Sequence, residues 1–346
     1  MVEKRKDIRH RLITANLTAM DALDGLLRGP AATHPTTLRM AMTDRWAIRI
    51  EDSSALTLVA VTEGVGVAGY DDGTEYELGV GCVALIRGTE PYTVSDRARS
   101  PVIAHIDEDG RCFDPTGRHS VAEQMSVGVR TWGNRRPQAA SDSRDTTMLI
   151  ATYRAGEISR QVVESLPRIS VLDHPDDPLV ALAEAEIVRT LPGQEVVIDR
   201  LVDLILITAI RDLMDRSDAP PAYFRASRDP VVGPAVALMH TNPGHPWTLA
   251  GIAQSVGVSR ATLARRFTEL MGEPPIGYLT RWRLALAADL LADPDISLRA
   301  IAHRVGYGSP FALSSAFTRE FGMSPTRYAA HRSTTRDRLG ETAMID

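Results

Sequence analysis

Two arginines in the C-terminal third of the sequence are spaced to lie together on one face of a helix. Leu263 and Phe267 recur at a four-residue spacing, which predicts that they form the buried face of that helix. Arg260 and Arg265 then lie on the opposite, outward face. A guanidinium group can donate two hydrogen bonds to the O6 and N7 atoms of guanine, or it can bind a backbone phosphate. The chemistry that this face favours is therefore contact with nucleic acid.

The surrounding residues predict a helix-turn-helix unit over residues 248–267. Thr248 can cap the first helix and Ser259 the second. Ala253 is small, so the second helix can cross the first closely, and Gly257 supplies the positive φ of the turn. The residues expected in the core are Leu249, Ile252, Ala253, Leu263 and Phe267.

The same arrangement recurs over residues 297–317. Ser297 can cap one helix and Ser309 the next, with Gly306 in the turn and Pro310 at the favoured first helical position. The expected core residues are Ile301, Ala302, Leu313 and Phe317, and the last two follow Leu263 and Phe267 by fifty positions each. Two such units in register, joined by a predicted helix over residues 276–291, are much stronger evidence than one.

Residues 230–331 resemble the AraC/XylS family of bacterial transcription regulators. The resemblance is carried by Tyr307, Gly308, Ser309, Phe311 and Phe317, and by the closing phrase of residues 320–328, which contains Arg327 and Tyr328. It implies that two recognition helices enter successive major-groove segments on one face of the DNA, about one helical turn apart.

The resemblance also places the base-contacting positions of each unit. In the first unit they are Ala261, Ala264 and Arg265, and in the second they are Phe311, Ser314 and Ser315. The two alanines depart from the family pattern because they cannot hydrogen-bond a base edge. Arg265 is therefore the predicted direct reader of a guanine. The second unit offers an aromatic ring and hydroxyls, which favour thymine methyl groups or DNA shape and a weaker sequence preference.

The remaining arginines are predicted to contact phosphates, which set the register of the protein on DNA without specifying sequence. They are Arg260, Arg281, Arg283 and Arg319. With Thr262 and Ser309, the predicted DNA-contacting set is Arg260, Ala261, Thr262, Ala264, Arg265, Arg281, Arg283, Ser309, Phe311, Ser314, Ser315 and Arg319. The alternative is that these arginines form an ordinary solvated helix face.

The charge of the chain is divided unevenly. Residues 230–346 contain twelve arginines, no lysine and nine acidic residues, a net charge of +3, so the overall charge of −5 leaves −8 for the remainder. A basic C-terminal part on an acidic body is typical of a DNA-binding domain joined to a regulatory one.

Length and composition favour a two-domain cytoplasmic protein. A chain of 346 residues exceeds one small core, and its two cysteines cannot form a disulfide framework. The charged residues 1–11 do not form a signal peptide, and the longest apolar stretch, residues 201–210, is about half a membrane span. We therefore expect no membrane association.

The N-terminal part is predicted to be a β-barrel or sandwich. A helix over residues 21–27 precedes seven short β-rich runs separated by glycine and acidic clusters. These runs are residues 38–42, 46–50, 56–62, 65–70, 82–86, 92–94 and 102–106. Residues 107–146 are expected to be a long polar excursion, followed by a strand over residues 147–153.

Residues 36–153 resemble a cupin barrel, with the closest match over residues 56–95. Metal-binding cupins use a His-x-His pair, a downstream Glu and a further His. Residues 56–63 contain no histidine, Tyr92 occupies the later position, and Glu63 alone cannot hold a metal. We therefore expect no metal, no cofactor and no enzymatic activity. An enzyme housed in the cupin is the rival, and it predicts a bound metal.

The barrel interior is instead the predicted pocket for a small-molecule effector. Its candidate lining residues are Trp46, Tyr70, Tyr92 and His105, for which ordinary core packing is the alternative. A redox switch between Cys82 and Cys112 would make the protein a thiol-based oxidant sensor.

Two amphipathic helices are predicted over residues 178–190 and 196–214. The wide apolar face of the second favours packing against the barrel, a dimer seam, or both. Residues 217–227, with Pro220 and Pro221, are the predicted linker, where relative motion of the domains is expected.

The predicted fold is multidomain α+β. It comprises a cupin-like regulatory domain (residues 1–158), a helical dimerisation and linker region (159–228), an all-α domain with two helix-turn-helix units (229–332) and a tail (333–346). The predicted function is a ligand-responsive transcription regulator that binds promoter DNA as a homodimer, with RNA polymerase as a partner if it activates. A constitutive DNA binder with a purely structural barrel remains an alternative.

Overall fold

The computed structural model describes residues 35–135, 145–154, 156–173, 177–217 and 220–330. Of these, residues 35–154 and 163–217 belong to one compact unit, and residues 156–162 and 220–330 belong to another. The predicted helix over residues 21–27 and the predicted tail lie outside the described residues.

The first unit is built on two β-sheets. The larger sheet has the strand order β10-β11-β1-β12-β3-β6-β13, and the smaller has β5-β4-β7-β2-β8-β9. The strands of the larger sheet are β1 (Thr36–Met42), β3 (Leu56–Glu63), β6 (Cys82–Arg87), β10 (Ser126–Gly128), β11 (Thr131–Gly133), β12 (Thr146–Tyr153) and β13 (Ile169–Asp173). Those of the smaller are β2 (Ala47–Ile50), β4 (Gly66–Tyr70), β5 (Glu75–Leu78), β7 (Tyr92–Ser95), β8 (Val102–Ile106) and β9 (Cys112–Phe113).

The two sheets enclose one hydrophobic core. Alternate residues of β1 and β3, such as Met40 and Val59, meet Ile48, Tyr92 and their neighbours from the smaller sheet. These strands were predicted from short β-rich runs between glycine and acidic clusters, and all eight are confirmed to within two residues at either end.

Five strands were not predicted: β5, β9, β10 and β11 are short or polar, and β13 lies where a helical run was expected. The expected excursion over residues 107–146 contains β9, β10, β11 and a short helix, α1 (Ala122–Met125), so the expectation of a structureless segment is wrong for its described part. β5 has only one buried residue, Leu78. β13 follows the helix α2 (Glu157–Ser165) and lies in a part of the chain that was expected to be helical. Pairing with a neighbouring strand, rather than local pattern, defines these elements.

Two helices pack on the larger sheet. α3 (Pro178–Ile187) contacts β1, β3 and β12, while α4 (Gln194–Arg216) packs along α3 and against β13. Ile198, Val202 and Leu206 of α4 are fully buried, which confirms the packing expected of its apolar face.

The second unit is helical. Its helices are α5 (Ala222–Arg228), α6 (Val232–Thr241), α7 (Leu249–Ser255), α8 (Arg260–Met271), α9 (Pro275–Leu290), α10 (Leu298–Arg304) and α11 (Pro310–Phe321). The predicted linker differs from the structure in its second half, because Phe224 and Ala226 of α5 are buried. No helix in the described ranges is both long and apolar enough to cross a membrane.

α9 contributes to two separate hydrophobic cores of this unit. Tyr278 and Leu279 join the core around α7 and α8, whereas Trp282 and the residues after it join the core around α10 and α11. One helix therefore supports both helix-turn-helix units.

Candidate nucleic-acid interface

Side-chain caps fix where the two recognition helices begin. The Ser259 Oγ accepts a hydrogen bond from the Thr262 amide at 3.1 Å, and the Ser309 Oγ accepts one from the Ala312 amide at 3.1 Å. Pro310 occupies the first turn of α11. Each cap satisfies an amide that has no partner within the helix, so both predicted starts are confirmed.

The preceding helices and turns also match the sequence pattern. Thr248 caps α7 through the Gly251 amide, and Ser297 caps α10 through the Ala300 amide. Gly257 and Gly306 have φ of +74° and +82°, a conformation that side chains disfavour. Leu263, Phe267, Leu313 and Phe317 are each 0% exposed. The chain therefore contains two complete helix-turn-helix units.

The outward face of α8 carries the predicted residues of the first unit. Arg260, Ala261 and Arg265 are exposed, while Thr262 and Ala264 are half-buried. The Arg265 Nη1 lies 2.8 and 2.9 Å from the two carboxylate oxygens of Glu269, with the arginine side chain 66% exposed. An ion pair this exposed contributes little stability, so Arg265 can exchange it for another acceptor.

The outward face of α11 has a different chemical character. The Phe311 ring is 81% exposed at the first turn, and Ser315 and Arg319 are exposed further along. With Ser314 and Thr318 these residues line an open groove of about 470 Å³. An apolar ring beside hydroxyls can contact a thymine methyl group, and Arg319 supplies the bidentate donor among these groove-lining residues.

Arg281 and Arg283 lie on α9, the helix that connects the two helix-turn-helix units in sequence. Arg281 is exposed and pairs with Glu273. Arg283 is half-buried, and its guanidinium donates to the main-chain carbonyls of Pro243 and His245. Burial lowers the pKa of Arg283. This placement does not favour the predicted phosphate contact of Arg283, because its Nε and Nη2 already donate to carbonyl oxygens inside the protein.

Three exposed basic residues of α10 were not in the predicted set. They are Arg299, His303 and Arg304. The first helix of a helix-turn-helix unit commonly crosses the DNA backbone, so basic residues at exposed positions of α10 were a usable signal. His303 and Arg304, with Asn242 and His245, also border an open groove of about 520 Å³.

Three of the four predicted effector residues lie in the core between the two β-sheets. Trp46, Tyr70 and Tyr92 are 0%, 6% and 4% exposed, and the Tyr70 and Tyr92 rings lie 6.2 Å apart. These placements favour the alternative of core packing. His105 is half-buried, with its Nε2 3.1 Å from a Glu51 carboxylate oxygen, at the surface of the smaller sheet.

Both cysteines are buried in the same core. Burial raises the pKa of Cys82 to about 11 and that of Cys112 to about 11. The thiolate is the reactive form, so this environment does not favour the oxidant-sensor alternative.

Two families match the chain, Cupin over residues 21–215 and Helix-turn-helix domain over residues 252–331. A putative AraC-like transcription regulator of Streptomyces antibioticus is 41% identical over 149 residues, which cover 43% of this chain and 49% of that protein. A putative AraC-like transcription regulator of Streptomyces lividans is 28% identical over 323 residues, which cover 90% of this chain and 99% of that protein. A solved AraC-type DNA-binding domain-containing regulator of Chromobacterium violaceum is 34% identical, with a TM-score of 0.29, covering 30% of this chain and 92% of that one.

The raised pKa of the two thiols predicts slow modification of the folded protein. With a pKa of about 11, about one thiol in a thousand is ionised at pH 8, against about a tenth at the ordinary pKa of 9.0. We expect an aromatic disulfide reagent at pH 8 to modify the native protein more than about 100-fold more slowly than the protein in urea.

The single variants Cys82→Ser and Cys112→Ser each leave one thiol, so they show how fast the reagent modifies Cys112 and Cys82 separately. Rapid modification of either thiol in the native state, or a Cys82–Cys112 disulfide after mild peroxide treatment, would contradict the expectation and restore the oxidant-sensor hypothesis.

Proposed function

Because the chain belongs to the AraC family of transcription regulators, with a cupin domain followed by a helix-turn-helix domain, we propose that α8 and α11 read two successive major-groove segments of promoter DNA. The observation that supports this most directly is the pair of capped helix-turn-helix units whose outward faces are exposed.

Arg265 is the proposed base reader of the first unit. It has the planar fork that matches guanine O6 and N7, and its present partner, Glu269, is an exposed group of the same helix. Ala261 and Ala264 beside it leave room for the DNA to approach α8. In the second unit, Phe311 is proposed to contact a thymine methyl group, with Ser314 and Ser315 as weaker polar contacts.

The exposed arginines around these positions are proposed to bind phosphates. They are Arg260, Arg281 and Arg319 of the predicted set, together with Arg299 and Arg304 of α10. Such contacts increase affinity for every DNA sequence and weaken as salt is added.

Replacing Arg265 tests the proposed reading. Arg265→Ala is expected to cost about 1–3 kcal/mol of binding to the preferred sequence and to relax the base preference at one position. Arg265→Lys keeps the charge but loses the planar fork, so it should relax the same position while retaining most non-specific affinity.

The measurement is selection of bound sequences from a random DNA pool at one fixed salt concentration, followed by competition titrations. An identical selected motif for Arg265→Ala and the parent protein would rule out Arg265 as a base reader. Arg299→Ala is the matched control, because it removes one exposed charge outside the proposed base contacts and should weaken binding to all sequences alike.

We further propose that the cupin domain senses a small molecule with a hydrogen-bond acceptor. The Nε1 atom of Trp46 is buried in the core and has no hydrogen-bond partner among the residues that the structure describes. An unsatisfied buried donor costs about 1–3 kcal/mol, and a ligand that supplied an acceptor would recover this energy. Since side chains fill the core around Trp46, binding would require a rearrangement of the barrel interior.

Thermal unfolding against a panel of small organic metabolites tests this proposal. A true effector should raise the Tm of the parent protein and of a Trp132→Phe control, but should raise that of Trp46→Phe much less, because phenylalanine lacks the donor. Equal stabilisation of Trp46→Phe would remove Trp46 from the site. A panel without any stabilising compound would favour the constitutive DNA binder.

The exposed side of α3 and α4 is proposed to form a homodimer. Leu182 and Val188 on or just after α3 are 51% and 50% exposed, and Val196, Val197 and Leu204 on α4 are between 43% and 62% exposed. Clusters of exposed aliphatic side chains on two packed helices are typical of protein interfaces. The second copy of the chain is the proposed occupant, because pairing two DNA-binding domains doubles the contact with DNA.

A charge placed on this face should separate the two copies. We expect Leu204→Glu to shift the protein from dimer to monomer in sedimentation velocity at micromolar concentration, since a carboxylate cannot be buried between apolar surfaces. Val80→Glu is the control: Val80 is 58% exposed and lies in a turn between β5 and β6. Unchanged sedimentation of Leu204→Glu, or equal effects of both changes, would place the interface elsewhere.

A further inference from the structure

The side chain of Arg283 holds the loop that leads into the first helix-turn-helix unit. Its Nε lies 2.7 Å from the Pro243 carbonyl oxygen, and its Nη2 lies 2.7 Å from the His245 carbonyl oxygen. This loop connects α6 to α7. Two parallel donors of one planar group therefore fix two neighbouring carbonyls, a geometry that lysine cannot reproduce.

The turn of the second helix-turn-helix unit lies against the same guanidinium. A Cβ atom built on Gly306 would be 3.0 Å from both Cζ and Nη2 of Arg283, and 3.0 Å from the Gly244 carbonyl oxygen. A Cβ atom on Gly244 would be 3.0 Å from the Arg304 carbonyl oxygen. The loop, the guanidinium and the turn are thus packed closely, and a methyl group on either glycine would force its neighbours to move by a few tenths of an ångström.

The equivalent turn of the first unit shows that this contact is particular to the second. Gly257 has nearly the same φ as Gly306, but a Cβ atom on Gly257 would meet nothing within 4 Å. Backbone conformation alone accounts for glycine at position 257. At position 306 glycine is required both by the positive φ and by the closeness of Arg283.

We propose that Arg283 is a positioning residue that fixes the orientation of the first helix-turn-helix unit relative to the second. Among the described helices, α9 contributes residues to both cores, and a single shared helix leaves bending or twisting along its length available. The Arg283 contacts add a second attachment, between the loop before α7 and the turn before α11. This attachment sets how far apart the two DNA segments must lie, an inference that rests on the proposed function.

The distance between the recognition helices can be measured without DNA, so this test stands even if the proposed DNA reading is wrong. Spin labels are placed on Thr268→Cys of α8 and Thr318→Cys of α11, both exposed, in the full chain with Cys82→Ser and Cys112→Ser. The labelled protein is diluted with unlabelled protein, and pulsed electron spin resonance gives the distance distribution. We expect one narrow distribution for the parent and a broad or shifted one for Arg283→Met and Arg283→Lys.

Arg266→Met is the matched control. Arg266 pairs with Asp229 beside the first helix-turn-helix unit, with Nη2 and Oδ2 2.7 Å apart. Its replacement removes an equally large side chain and an ion pair but leaves the second helix-turn-helix unit unchanged. A distribution for Arg283→Met as narrow as that of the parent, or broadening of equal size in Arg266→Met, would overturn the proposal.

The two glycines keep the test decisive if Arg283→Met does not fold. Gly306→Ala and Gly257→Ala impose similar backbone strain, but only the alanine at 306 displaces Arg283. Gly306→Ala should broaden the distance distribution and Gly257→Ala should not. Equal distributions for these two variants would also overturn the proposal.

A second measurement separates positioning from phosphate binding. On DNA selected by the parent protein, one base pair inserted between the two recognised segments should weaken the parent at least about 10-fold and Arg283→Met less than about 3-fold. The salt dependence of Arg283→Met on DNA carrying only the first segment should equal that of the parent. A slope reduced by about one unit would instead identify Arg283 as a phosphate contact.

Discussion

The DNA-binding unit depends on one helix being buried in two places at once. Eleven of the sixteen residues of α9 are buried, its first half in one core and its second half in the other. At the junction, the His240 ring stacks on Trp282 with 3.5 Å between ring centroids and hydrogen-bonds the Tyr278 hydroxyl at 2.7 Å. Neither helix-turn-helix unit has a complete core without this helix, so both recognition surfaces derive their support from it.

Signals that act over a few residues were readable in the sequence. The caps at Thr248, Ser259, Ser297 and Ser309 follow from hydroxyl side chains before apolar helical patterns, and the turns follow from glycine. Long-range contacts were not readable. Arg283 was expected to face phosphates because its charge is visible in the sequence, whereas its acceptors are carbonyls forty residues away that every residue type possesses.

The β-sheet unit shows the same difference between local features, which the sequence indicates, and long-range contacts, which it does not. The β-rich runs indicated the strands that line the core, but they could not show whether Trp46, Tyr70 and Tyr92 line a cavity or fill the core. That outcome depends on how two sheets approach each other. The same uncertainty applied to the cysteines, whose chemistry is set by burial. A sensor built on such a filled core must exchange packing energy for ligand contacts, which makes its response a change in the stability of the barrel.

If Arg265 reads bases as proposed, its ion pair with Glu269 gives the first helix-turn-helix unit an internal competitor for each base. In that proposal, each base edge would have to draw the guanidinium away from a carboxylate of its own helix. Guanine offers two acceptors in the matching geometry, whereas the other bases offer a poorer replacement. Because the ion pair is exposed and contributes little stability, Glu269 is a weak competitor, and the proposed reading would favour the base that offers two well-placed acceptors.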